Sequence, residues 1–234
     1  MPAFRYAIYA APPAGDRLAE VGAALLGYDA ERGADVPQLV PDGLAAADWR
    51  AITEEPRRYA FHGTLKAPFR LAEGTTEEEL LAAARGFAAA QPAMQVPLHL
   101  SRMGGRFLAL VPEAPTPDLD RLADEAVETL DRFRAPPNGA ELARRLAAPL
   151  TERQRGYLER WGYPYVFEDF RYHMTLTGPL PPERIEAVEA ALAATVQREL
   201  GPRPVLRLRS IAIFVQPAAD ARFRLQAHLP LAAG

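Results

Sequence analysis

Two eight-residue phrases, HGTLKAPF at 62–69 and HMTLTGPL at 173–180, set histidine, threonine, leucine and proline on the same four places, 111 positions apart. Solenoid periods run to about 20–50 residues. One repeat at this longer spacing instead predicts two similar lobes. Two of the chain's four histidines fall in the repeated phrase, so the chemistry is expected there.

The segments downstream of the two phrases are also alike. After the first, Thr76 with Glu79 forms a capping box, predicting a helix to about Ala90. After the second, Pro182 opens a helix that Gly201-Pro202 closes, with Ile185, Val188, Leu192 and Val196 as its apolar stripe. Two alternating stretches come next in each copy: MQVPLHL and RFLALVP, then VLRLRSIAIFV and RFRLQAHL. Each copy thus reads strand, helix, strand, strand. FRYAIYA adds a strand and AGDRLAEVGAALLG a helix. Residues 29–58 show no clear period and read mostly as loop. The chain is read as one bilobal unit over 1–234. Its first repeat spans about 59–113, a helical insertion about 115–160, and the second repeat about 170–230. Within the insertion, Thr116 precedes a helix running toward Phe133, and Thr151 with Gln154 opens another.

Side chains on a strand alternate between faces. His62, Thr64 and Lys66 then share one face, and His173, Thr175 and Thr177 share another. If the lobes face each other, these polar faces meet in a cleft. Such a set suits phosphate esters. Two imidazoles supply base and acid near neutral pH. Hydroxyls donate to non-bridging oxygens, and Lys66 supplies a point charge. Lys66 is the only lysine among 27 basic residues. No cofactor or metal is called for. A metal would need a third ligand, and neither phrase offers one at i+2 or i+4.

Composition narrows the classes. There is no cysteine, which excludes disulfides and thiolate chemistry within this chain and fits a cytoplasmic protein. No apolar run reaches about 18 residues, so no membrane partner is expected. A net charge of −3 makes long nucleic acid an unpromising partner. A small phosphate ester is the expected one, and oligomeric state is not legible.

The paired H-x-T-L phrases resemble the two-histidine (2H) phosphoesterases. With RRYAFHGTLKAPFRL, DRFRAPPNGAELARRL, LTERQRGYLERWGYPYV and FRYHMTLTGPL, the chain is similar to a branch of unknown function found with phosphonate-degradation genes. The resemblance implies an α+β, pseudo-two-fold fold, with antiparallel sheets facing a central cleft and helices outside. It implies His62, Thr64, His173 and Thr175 as the catalytic set, and hydrolysis of a small cyclic phosphodiester such as a ribose cyclic phosphate. Ala60 and Gly63 are exchanged relative to the branch's pattern, a change expected to be harmless because both residues are small. Two alternatives stay open: an RNA-end 2′,3′-cyclic phosphodiesterase or 2′-5′ ligase-like enzyme, and a non-catalytic module that binds a nucleotide or sugar phosphate.

Plainer roles compete for the remaining residues. His99 and His228 read as exposed sheet positions. Arg57, Arg58, Arg144 and Arg145 are weak phosphate candidates, since Glu141 four residues before Arg145 suggests a surface pair. The aromatics of WGYPYV either wall a pocket or pack a core.

Overall fold

The computed structural model describes residues 4–147 and 149–232. Strand β1 (Arg5–Ala10) is buried along almost its whole length, the mark of a strand inside a sheet with both faces covered. Helix α1 (Arg17–Leu26) starts where the Asp16 carboxylate accepts from Leu18 N–H and stops at Gly27, whose left-handed φ of 71° suits glycine. The stretch read as loop holds a short hairpin, β2 (Tyr28–Asp29) and β3 (Ala34–Asp35), and two helices, α2 (Ala46–Ile52) and α3 (Glu54–Tyr59). These helices have seven and six residues, too short to show a helical period. Tertiary packing sustains them. Trp49 is fully buried, and its indole N–H donates to Leu25 O.

Then come β4 (Gly63–Phe69), α4 (Glu77–Ala89), β5 (Met94–Met103) and β6 (Phe107–Pro112). The insertion supplies α5 (Pro117–Thr129), α6 (Gly139–Leu146) and α7 (Glu152–Trp161). The second repeat supplies β7 (Met174–Thr175), α8 (Pro182–Leu200), β8 (Val205–Leu208), β9 (Ser210–Gln216) and β10 (Arg224–Pro230). The expected capping boxes at Thr76 and Thr151 are both formed. Thr116 stands at the N-cap of α5 without a side-chain cap bond, and α5 ends before the short 3-10 turn at Asp131–Phe133.

The α+β expectation holds, with one eight-stranded antiparallel sheet in the order β10-β9-β1-β4-β7-β6-β5-β8. The two phrase strands, β4 and β7, are neighbours at its centre. Each is flanked by the other repeat's hairpin: β4 stands with β9 and β10 across β1, and β7 with β6 and β5. The first copy keeps the expected strand-helix-strand-strand order, whereas the second reads strand, helix and three strands, and the halves of the sheet interleave the copies. β8 and β9 are separated only by Arg209, yet lie toward opposite ends of the strand order. The sheet must curl for this to happen, and Leu231 N–H donating to Arg209 O holds the two ends together.

One face of the sheet carries the main core, where Ile8, Leu65 and Met174 meet Leu80, Leu122 and Leu192 from the helices. The other face carries a smaller cluster with Tyr9, Phe214 and Phe223. At the centre, Gly63 pairs with Met174. A side chain at Gly63 would come 2.3 Å from the Tyr172 ring, so glycine here is a packing requirement.

Candidate active site

Extending the Gly63–Met174 pairing by one residue each way sets His62 across from Thr175 and Thr64 across from His173. Gly63 and Met174 point to the core, so these four point to the opposite face. Diagonal neighbours across such a ladder are about 7–8 Å apart. The two histidines thus stand side by side on adjacent strands of one sheet, and not on two sheets that face each other. A cleft of about 590 Å³ opens over this face, lined by His62, Thr64 and Thr175 together with Tyr9, Tyr59, Phe107, Tyr163 and three arginines, Arg5, Arg106 and Arg145. His173 packs its ring beside Phe107 of that lining, 5.8 Å between centroids.

Both histidines are held in one way. His62 Nδ1 lies 2.9 Å from Ala60 O, and His173 Nδ1 lies 2.7 Å from Arg171 O. A carbonyl only accepts, so Nδ1 carries the hydrogen and Nε2 is the other ring nitrogen, left to other partners. Thr64 Oγ1 is 3.2 Å from His62 Nε2, which sets hydroxyl and imidazole side by side in the cleft lining. The His62 ring stacks on Tyr9 at 3.6 Å between centroids and 18° between planes. Burial, reinforced by the His173 charge, pulls its pKa down from 6.5 to about 4 against the opposing pull of the Ala60 carbonyl. The unfolded chain therefore binds the extra proton between these values. This contribution to stability is complete above about pH 6.5 and is lost as pH falls toward 4.

Lys66 departs from its expected place. Tyr9 pairs with Thr64 while Ile8 pairs with Lys66, so β4 carries one extra residue against β1. This bulge turns Lys66 to the core side, where it is 3% exposed. Its ammonium donates to Val127 O at 2.9 Å and to Asp131 Oδ1 at 3.1 Å. Val127 O is one of the last carbonyls of α5, which have no partner within a helix. The single lysine caps that helix end from below the sheet. Burial lowers its pKa to about 8, opposed by Asp131.

Thr177 reaches the cleft floor but is fully buried, and its hydroxyl accepts from Leu108 N–H at 3.0 Å. It ties β6 to the strand that follows His173. Arg57 is also structural: its guanidinium donates to Leu26 O and Thr53 Oγ1. Arg58 donates to Ala219 O. Glu141 accepts from Arg70 and closes the α6 capping box with Asn138. Arg145 lies over the Tyr163 ring at 4.7 Å, on the cleft wall. The Arg144 side chain lies outside the described residues. His99 is exposed as expected, and His228 is half-buried against Ser210 Oγ.

Sequence reasoning passed over Tyr9, Tyr59, Phe107, Arg5 and Arg106. FRYAIYA reads as a strand, but nothing local to it shows that β1 runs beside the first phrase.

Small size does not fully describe what position 60 requires. Ala60 has φ 63° and ψ −179°, a conformation close to glycine's own territory. It is also the residue whose carbonyl orients His62. Size was not the property that mattered at position 60.

The chain belongs to the family described as "Protein of unknown function (DUF1045)", whose model matches residues 64–224. It is 43% identical over 176 residues to the ribose 1,5-bisphosphate phosphokinase PhnN of Janthinobacterium sp. (strain Marseille), covering 75% of this chain and 39% of that protein. It is 38% identical over 221 residues to the protein of the same name from Laribacter hongkongensis (strain HLHK9), covering 94% and 50%. The chain thus spans half the length, or less, of these curated relatives. Among solved structures it is similar to E. coli LigT complexed with NADP+, at 17% identity over 99% of each chain and a TM-score of 0.45. No helix among the described residues is long and apolar enough to cross a membrane.

Two substitutions test the placements. Lys66→Met leaves Val127 O without its donor and should destabilise the fold by roughly 1–3 kcal/mol in urea titration, with catalytic turnover retained. A large loss of turnover without loss of fold would return Lys66 to the site. Ala60→Gly should relieve backbone strain and raise the unfolding free energy by about 1 kcal/mol. An unchanged or lowered midpoint would contradict strain at this residue.

Proposed function

We propose that this protein is a phosphoesterase that opens a small cyclic phosphodiester without a metal, and that the diester is a ribose phosphate of phosphonate metabolism. The observation that carries the reading is the matched fixing of both Nδ1 atoms by the carbonyl two residues earlier, which keeps both Nε2 atoms out of that bond, with His62 lining the cleft and His173 beside its Phe107 wall. His62 is the base. Its depressed pKa keeps it neutral at pH 7, so Nε2 takes a proton from the attacking water as oxygen bonds to phosphorus. His173 is the acid, and its Nε2–H protonates the leaving oxygen as the P–O bond breaks. Thr64 and Thr175 donate to non-bridging oxygens, on which negative charge accumulates. The ribose assignment draws on the two relatives, each named for a kinase of ribose 1,5-bisphosphate. A chain matching half or less of such a protein is reasonably given a neighbouring step on the same sugar.

Phosphorus NMR in EDTA tests this, with ribose 1,2-cyclic phosphate, its 5-phosphate, 2′,3′-cyclic nucleotides and a 3′,5′-cyclic nucleotide. One ring should open, and His62→Ala and His173→Ala should each lose roughly 10²–10⁴-fold in rate. Preference for a 2′,3′-cyclic nucleotide would shift the assignment to RNA ends. No turnover of any ring would leave a binding module. The acid limb of kcat/KM should fall well below the ordinary histidine value of 6.5, near 4. An acid limb at 6.5 would remove His62 from the base role.

A further inference from the structure

Beyond Pro68 a narrow recess adjoins the cleft. Arg5, Pro68 and Arg145 line both spaces, so the two adjoin. The recess adds Arg70 and Arg134, which brings four arginines together against one lining carboxylate, Glu141. That carboxylate is already committed, since it accepts from Arg70 and from Asn138 N–H at the start of α6. Asp131, which holds Arg134, also serves Lys66. Positive charge therefore exceeds negative at this end of the cleft.

The arginines are also held in place. Arg70 donates to Pro136 O at 2.7 Å, and Arg134 donates to Arg160 O at 2.9 Å. Arg5 Nε donates to Gln216 Oε1 at 2.7 Å, with its guanidinium 5.5 Å from the Phe223 ring. Arg145 rests on Tyr163. Guanidinium groups fixed in this way lose little freedom when they meet a phosphate, and their planar forks match its oxygens. Pro68 is four steps along β4 from Thr64, at most roughly 13 Å along a strand. That reach accommodates a sugar with an anion at each end.

We propose that the Arg5–Arg145 end of the cleft is a second anion subsite, and that the substrate carries a terminal phosphate monoester besides the diester at the histidines. The subsite concerns binding alone, while the identity of its occupant as substrate rests on the function proposed above.

The test is calorimetric titration with ribose 5-phosphate, which has the monoester and no diester. Wild type, Arg5→Gln, Arg145→Gln, Arg145→Lys, His62→Ala and His173→Ala are compared after thermal melts confirm folding. Wild type should bind. Arg5→Gln and Arg145→Gln should weaken binding roughly 10-fold or more, and Arg145→Lys should fall between. Both histidine variants should bind as wild type does. Absence of binding, arginine variants that bind like wild type, or loss confined to the histidine variants would each overturn the subsite. If ribose 5-phosphate binds as expected but no cyclic phosphate is hydrolysed, the enzyme reading fails and the subsite stands.

Discussion

The two halves of the sheet join at a single registered residue pair between the phrase strands, Gly63 opposite Met174. Everything at the site hangs on that register. A slip by one residue would turn the histidines and threonines into the core and bring Leu65 and Leu176 to the cleft, because side chains alternate strictly along a strand. Several features pin it. Tyr172 fills the space that Gly63 leaves. Met174 is fully buried, and Leu176 N–H and Thr177 N–H both bond to Leu108 O. The seam is short but heavily braced from the sides.

The second organising constraint is the bulge in β4. It lets one strand serve two layers within three residues: Thr64 faces the cleft, while Leu65 and Lys66 both face the core. The ammonium beneath the sheet then closes the end of α5 and shares Asp131 with Arg134, a residue of the basic recess. A charge that strict alternation assigns to the cleft instead helps brace the wall of the recess beside it.

The histidine and threonine positions were legible in the sequence because they sit in a repeated phrase whose alternation survives up to the bulge. The helices of the long repeats were legible because caps and apolar stripes are local signals, as at Thr76 with Glu79 and at Ile185, Val188 and Leu192. Lys66 lies on the other side of the sheet because a bulge against β1 interrupts the alternation, and pairing between distant strands leaves no local trace. The interleaving of the repeats was hidden in the same way. VLRLRSIAIFV reads as one strand, and only the fold splits it at Arg209 and sends its parts toward opposite ends of the sheet order. Helices α2 and α3 were missed because six or seven residues cannot display a period. Ala60 was judged by volume, whereas its backbone angles decide its cost.

The exchange of hairpins between the repeats also bears on how the chain reaches this state. β1 precedes both of the strands it lies between, β4 by more than 50 residues and β9 by about 200. The first half of the chain can form its helices as it emerges, yet its central strand keeps an unpaired edge until residues beyond 210 arrive. Contacts of such long sequence separation slow folding and prolong the exposure of open strand edges. Cutting the chain between its two H-x-T-L phrases would therefore release two fragments that each lack half of their own sheet, and not two small domains.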